Sequence, residues 1–317
     1  MEWIVLLVGV LFIAVNGRND GATIVSGALE GTRTRALPAT ASLCACLVVV
    51  PLLDLTHVAE SLEALVGGVR DDAPRAVVVL ATATAVVLLS NAVRIPTSIT
   101  LALVGAVTGV AVADGQASNW HLLARVLLVG LLSPLVAAGV AFVLNRHALP
   151  LAGRLGNVAR FGRLRRMTFW LLAIAYSTND GQKVVFALAL MTSSDVTRAA
   201  SAPAWLMAGG LVFAIGTLSG VRGRGRFLRH GVAAVTPVGL LSTELATSGA
   251  VIGGSLLGAP LSMTQCLTGG LLGVAVSRSS RAVRWGGVAR VVVSWAWTLP
   301  ASAILGHVAL TGLRMVL

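Results

Sequence analysis

Two acidic triplets carry the residue types that could do chemistry, Asn19-Asp20-Gly21 and Asn179-Asp180-Gly181. Each lies inside an apolar run, and a carboxylate at membrane depth costs about 2.5–3.5 kcal/mol on insertion scales. That cost makes a plain packing role a poor explanation. A carboxylate beside an amide carbonyl, next to a glycine that lets the backbone unwind, offers the all-oxygen shell preferred by a hard cation. Asn19, Asp20, Asn179 and Asp180 are therefore the candidate cation-binding residues, for Na⁺ or for H⁺. The competing reading ends a short helix at each Asp, near the interface and facing water.

A second pair of motifs suits an anion. Pro96-Thr-Ser98-Ile-Thr100 and Pro260-Leu-Ser262-Met-Thr264-Gln265 each head an apolar segment. Proline fits the first turn of a helix, and Ser or Thr caps its free N–H groups. A helix N-terminus at membrane depth presents oriented donors and partial positive charge to an oxyanion. Ser98, Thr100, Ser262, Thr264 and Gln265 are the candidate substrate-binding residues. One copy alone reads as an ordinary capped helix; two copies, each paired with an Asn-Asp-Gly, point to a site. Lys183, the single lysine, lies one turn after Asp180 and joins them as a contact to the anion or a neutraliser of Asp180. Glu244 is a third acid in an apolar stretch, a proton carrier or an ion-pair partner for Lys183 or Arg18.

The elements that must position these residues are membrane helices. Mean hydropathy is +0.88, with 56% hydrophobic and 11% charged residues, which is too apolar for a soluble domain. Apolar stretches able to cross a roughly 30 Å core fall at about 3–29, 36–56, 75–93, 95–113, 121–144, 167–192, 199–218, 232–257, 258–276 and 288–312. The first and sixth are interrupted by the acidic triplets. Glu2 is the only early charge, so the N-terminus reads as part of the mature chain, without the basic start of a signal peptide. Cys44, Cys46 and Cys266 read as packing, and His57, His121, His147, His230 and His307 form no ligand spacing. No cofactor and no enzymatic constellation is expected. The net charge of +12 reads as cytoplasmic loops and excludes nucleic acid as the partner.

Arg33 and Arg35, the group Arg146 to Arg166, the group Arg222 to Arg229, and Arg278, Arg281 and Arg284 fall on one side of ten crossings. Asp54, Glu60, Glu63, Asp71, Asp72, Asp114 and Asp195 fall on the other. The basic loops are then cytoplasmic and both termini outside. Asn-Asp-Gly recurs 160 positions on, and Pro96…Val112 recurs as Pro260…Val276, 164 positions on. Each half holds five segments, an odd number, so the second half enters from the opposite face. The expected fold is an all-α polytopic membrane protein of two inverted-topology repeats, about five transmembrane or re-entrant segments each. The first repeat covers 1–145, a basic cytoplasmic connector 146–166, and the second repeat 167–317.

At these residues the chain resembles the inorganic phosphate transporter (PiT) family in its compact bacterial form. Asn16-Gly-Arg-Asn-Asp-Gly-Ala is similar to its first motif, Ser177-Thr-Asn-Asp-Gly-Gln-Lys183 to its second, and Gly258-Ala-Pro-Leu-Ser-Met-Thr-Gln265 to its Pro-x-Ser-x-Thr element. Val276 to Gly286 and Trp297-Thr-Leu-Pro-Ala-Ser302 are similar to the family's ending. The resemblance implies import of inorganic phosphate, free or as a metal–phosphate, coupled to Na⁺ or H⁺ across the cell membrane. It also implies a homodimer. Arg18 departs from the family pattern, as does the first Pro-x-Ser-x-Thr, which lacks a counterpart of Gln265. A sulfate permease of the same fold is the alternative, since a helix-terminus site suits either tetrahedral oxyanion.

Overall fold

A computed structural model gives a nearly all-helical chain. It describes residues 1–29, 34–53, 55–67, 72–93, 97–115, 119–154, 158–221, 231–233 and 236–316. Arg33, Asp54, Asp71, Pro96 and the basic group Arg222, Arg224, Arg226 and Arg229 lie outside them. The first half holds α1 (Glu2–Asn16), α2 (Ala22–Leu29), α3 (Ala36–Leu52), α4 (His57–Val66), α5 (Ala73–Ala92), α6 (Ile99–Ala113) and α7 (Trp120–Arg154). The second holds α8 (Val158–Ser177), α9 (Asp180–Met191), α10 (Val196–Ala200), α11 (Pro203–Gly220), α12 (Pro237–Leu256), α13 (Met263–Arg278) and α14 (Trp285–Val316). No strand is present among the described residues, only an isolated bridge between Ala233 and Val283.

Five described stretches are long and apolar enough to cross a bilayer: Glu2–Leu29, Ala73–Ala92, Trp120–His147, Pro203–Gly220 and Trp285–Val316. The bent pair α3–α4 makes a sixth if it counts as one span. The ten apolar segments of the sequence are therefore of more than one kind. Helices α6 and α13 have 15 and 16 residues, about 22–24 Å of rise against a hydrocarbon core of roughly 30 Å. Large apolar side chains such as Trp3, Leu7, Leu131, Leu135 and Trp297 point outward. Such a surface is unfavourable in water and suits lipid.

Local chemistry sets the helix starts. Asp72 accepts from Arg75 N–H at 3.2 Å ahead of Pro74, and Thr236 accepts from Gly239 N–H at 3.3 Å ahead of Pro237. Ser98 and Ser262 cap α6 and α13 in the same way, accepting from Leu101 and Gln265 N–H at 3.3 and 3.4 Å. Each short helix then packs closely on a long one through two glycines. A Cβ at Gly105 or Gly109 would lie 2.5 Å from Leu299 O or 2.0 Å from Ala303 O of α14. One at Gly269 or Gly273 would lie 2.0 Å from Pro134 O or Ala138 O of α7. The i, i+4 glycine spacing puts both on one helix face, which lets the backbones touch. The same packing thus occurs twice, each time between a short helix of one half and a long helix of the other.

Candidate functional site

The first acidic triplet sits in an unbroken helix. Gly17–Gly21 forms a π turn between α1 and α2, a local widening that often marks a functional position. Its glycines serve close approach: a Cβ at Gly17 would lie 2.2 Å from Phe213 O, and one at Gly21 would lie 2.3 Å from Thr217 Oγ1. Thr217 Oγ1 donates to Gly17 O at 3.2 Å, which ties the turn to α11. The second triplet instead breaks the helix. Thr178 and Asn179 separate α8 from α9, and Asp180 opens the new helix, where its charge faces the positive end of the dipole. Gly181 has no neighbour closer than 3.5 Å to an added Cβ and is not a left-handed residue. The backbone leaves regular α-helix at both triplets, through a π turn at the first and a break at Thr178 and Asn179 in the second.

The two helix starts meet. Ser98 Oγ–H donates to Ser262 Oγ at 2.9 Å, and Ser262 Oγ lies 2.9 Å from Thr264 Oγ1. Two positive helix ends at hydrogen-bond distance repel unless negative charge accompanies them. Asp20 and Asp180, both buried, supply that charge. Thr100 Oγ1 reaches across to Leu261 O at 2.7 Å, so each motif helps to build the other's surroundings. Ser98 and Ser262 are 164 positions apart, the spacing of the repeat itself. The same holds for Tyr176, whose hydroxyl donates to Asn16 Oδ1 at 3.2 Å across 160 positions.

Lys183 is buried and ion-paired to Asp180. Its Nζ also donates to Thr100 Oγ1 at 2.5 Å and to Leu261 O at 3.1 Å. Among the described residues, Asp180 Oδ2 accepts no hydrogen bond. Asn19 Nδ2 donates to Asp20 Oδ1 at 2.7 Å and to Thr97 O at 3.5 Å. Asn179 is committed differently from the sequence expectation. Its Nδ2 donates to Ser255 Oγ at 3.0 Å and Ala259 O at 3.1 Å, and its Oδ1 accepts from Leu261 N–H at 3.0 Å. Both ends of that amide hold the loop before α13. Gln265 is buried beside the second cap.

Glu244 lies apart from this cluster. Its carboxylate takes Arg165 at 2.6 Å and Thr168 Oγ1 at 2.6 Å, in place of the expected Lys183 or Arg18. Arg165 was expected in the basic connector; it lies in α8, 2% exposed, and also donates to Gly27 O at 3.0 Å. Arg18 is exposed and turns away from the centre. Sequence reasoning missed Thr97, Ser255 and Thr298, which line or brace the caps; Thr97 and Thr298 hydroxyls lie 2.7 Å apart. The signal for Thr298 was its place in Trp297-Thr-Leu-Pro-Ala-Ser302, where Ser302 Oγ donates to Ala102 O at 2.5 Å.

Buried charge enclosed by lipid-facing helices, with two helix N-termini aimed at one point, defines a membrane protein of the transporter class. A sequence profile of the phosphate transporter family matches residues 16–151 and 154–306. A Bacillus subtilis (strain 168) protein named "Probable low-affinity inorganic phosphate transporter" is 27% identical over 99% of this chain and 97% of its own length. A Mycobacterium tuberculosis (strain ATCC 25618 / H37Rv) protein of the same name is 29% identical over 96% of this chain and 75% of its own. The fold is similar to a solved sodium-dependent phosphate transporter, with a TM-score of 0.78 over 100% of this chain and 99% of the other at 17% identity. The chain belongs to the phosphate transporter family. Its relatives are transporters and not enzymes, and the comparisons lend no support to the sulfate reading.

Proposed function

We propose that this chain imports inorganic phosphate, coupled to Na⁺ or H⁺, by alternating access between two inverted repeats covering 1–145 and 167–317. The observation that carries the reading is the contact of the two helix caps, Ser98 and Ser262, beside the buried Asp20 and Asp180. The first-turn amides of α6 and α13, with the hydroxyls of Ser98, Ser262 and Thr264, offer donors to a tetrahedral oxyanion. An anion and two carboxylates cannot share a low-dielectric site without positive charge. The coupling ion at Asn19-Asp20 supplies it, so ion and phosphate load together. The site residues are all buried, as befits a state closed to both faces, and rocking of the repeats would expose them in turn. The basic connector 146–166 faces the cytoplasm, the termini face outside, and the membrane is the cell membrane. The name of the solved neighbour favours Na⁺ as the ion.

The test is phosphate uptake into proteoliposomes under an imposed Na⁺ gradient at fixed pH, and under a pH gradient without Na⁺. One of the two should drive accumulation above equilibrium, and sulfate should compete poorly. Asp20→Asn should abolish accumulation with the protein still folded. Uptake that merely equilibrates under both gradients, or an accumulating Asp20→Asn variant, would overturn the coupling.

A further inference from the structure

We infer that Gln182 is a positioning residue: it ties the start of α4 to the helix break that presents Asp180, and so passes the loading of the site to an outer entrance beside α4. The inference rests on the transport reading above and deepens it.

Gln182 is buried, and its amide divides between two elements. Nε2 donates to Thr178 O at 2.6 Å, inside the break between α8 and α9. Oε1 accepts from Val58 and Ala59 N–H at 2.8 and 2.9 Å, in the first turn of α4. First-turn amides have no partner within their own helix. Those of α4 are satisfied by a side chain 124 residues away from Val58. The bond also reaches the break itself. Residues at the ends of elements absorb the backbone rotation when domains move, and Thr178 and Asn179 are such residues.

The same break holds a second wall. Asn179 binds the turn between α12 and α13 through Ser255 Oγ, Ala259 O and Leu261 N–H. That turn meets α4 closely: Gly258 has φ +69°, and an added Cβ would lie 3.0 Å from Ser61 Oγ and 3.3 Å from His57 O. Two cavities flank the start of α4 and share His57 and Leu256 in their linings. One, of about 460 Å³, is bordered by Arg125 and Glu60, both exposed. The other, of about 190 Å³, reaches Thr178, Gln182 and Ser255. Arg125 fastens the rim from α7, donating to Leu257 O at 2.7 Å. The two cavities thus line up from exposed side chains to the break, with α4 and the α12–α13 turn as their walls.

This link belongs to one repeat. The spacing of 160 residues carries Gln182 to Ala22, whose methyl makes no such bond. Loading is therefore passed outward through the second triplet. Ligands that settle Asp180 and the caps steady the break; Gln182 then holds α4, and Asn179 holds the facing turn. Without Gln182 the site still binds, but α4 no longer follows it.

The test uses a cysteine-free parent carrying Leu55→Cys, in the inner cavity, in proteoliposomes. An impermeant maleimide is applied from outside with the coupling ion present, with and without inorganic phosphate. Phosphate should slow labelling about tenfold or more in a parent that accumulates it. Gln182→Met keeps the side chain's length and makes neither bond. Val58→Pro breaks the link from the other end, because its ring carbon takes the place of the N–H proton. Proline is accepted in a first turn, as Pro74 is in α5. In each variant protection should fall below about twofold and accumulation should be lost, with phosphate binding within about threefold of the parent. The double variant should be no worse than the worse single, since both act on one link. A residue that only stabilised the fold would lower the melting temperature and leave protection intact. If Gln182→Met does not fold, Val58→Pro decides alone. Protection retained in a folded single variant, or losses that add in the double, overturns the role of Gln182. An accumulating parent whose labelling phosphate does not slow overturns the entrance beside α4. A parent that accumulates nothing overturns the transport reading itself.

Discussion

Ser262→Ala tests the anion site at its centre. The Ser262 hydroxyl accepts from Ser98 Oγ–H at 2.9 Å, which leaves its own proton for Thr264 Oγ1 at 2.9 Å or for a bound oxyanion. Its capping bond to Gln265 N–H is long, 3.4 Å, so little helix stability depends on it. The loss should therefore fall on the anion. A hydrogen bond to a charged group is worth roughly 1.5–3 kcal/mol, and each 1.4 kcal/mol is about tenfold. Ser262→Ala is expected to raise the apparent phosphate constant about 10- to 100-fold, with the unfolding temperature nearly unchanged. Ser98→Ala should cost less, because the Ser98 proton is already given to Ser262 and its half has no counterpart of Gln265. Phosphate uptake over a concentration series, at saturating coupling ion, reads both variants. A Ser98→Ala variant more damaging than Ser262→Ala would refute the assignment of the anion mainly to the second cap.

Three further outcomes follow from the packing and the proposed orientation. Arg165→Met strands the Glu244 carboxylate, which is 3% exposed, and should destabilise the protein by about 3–5 kcal/mol; pairing it with Glu244→Leu should recover most of the loss in a thermal melt. Gly273→Ala places a methyl 2.0 Å from Ala138 O, so α13 and α7 must separate at about 1–3 kcal/mol, and Gly109→Ala should do the same between α6 and α14. Gly249→Ala, with nothing within 4 Å of the added Cβ, is the control expected to melt like wild type. In a cysteine-free background, an impermeant maleimide should label a cysteine at Arg163 only from the cytoplasmic face and one at Glu63 only from outside; the reverse pattern would sink the ten-segment orientation.

Much of this protein is legible in its sequence because the physics involved is local or averaged over whole segments. Hydropathy summed over twenty residues announces membrane helices without any knowledge of neighbours. A Pro-x-Ser element announces a capped helix start, and Ser98 and Ser262 do cap α6 and α13. Acids within apolar runs announce a site, because burial of charge is costly wherever it occurs. The repeated motifs also announce that two such sites belong together.

Which partner each charge takes was settled only by the tertiary structure. Lys183 neutralises Asp180 one turn away, as spacing allows, but its other oxygens come from Thr100 and Leu261, 83 and 78 residues distant. Arg165 reads as a loop cation among other arginines, yet folding buries it between Glu244 and Gly27 O. Asn179 reads in the sequence only as a neighbour of Asp180; folding sets both ends of its amide to hold the loop before α13. Gly21 suggests unwinding, and the fold adds that contact with Thr217 and Phe213 excludes a side chain there. A residue's type and its neighbours in the chain determine that it must find a partner in the membrane. The partner itself depends on which helices pack within a few ångströms, and that is a property of the whole fold.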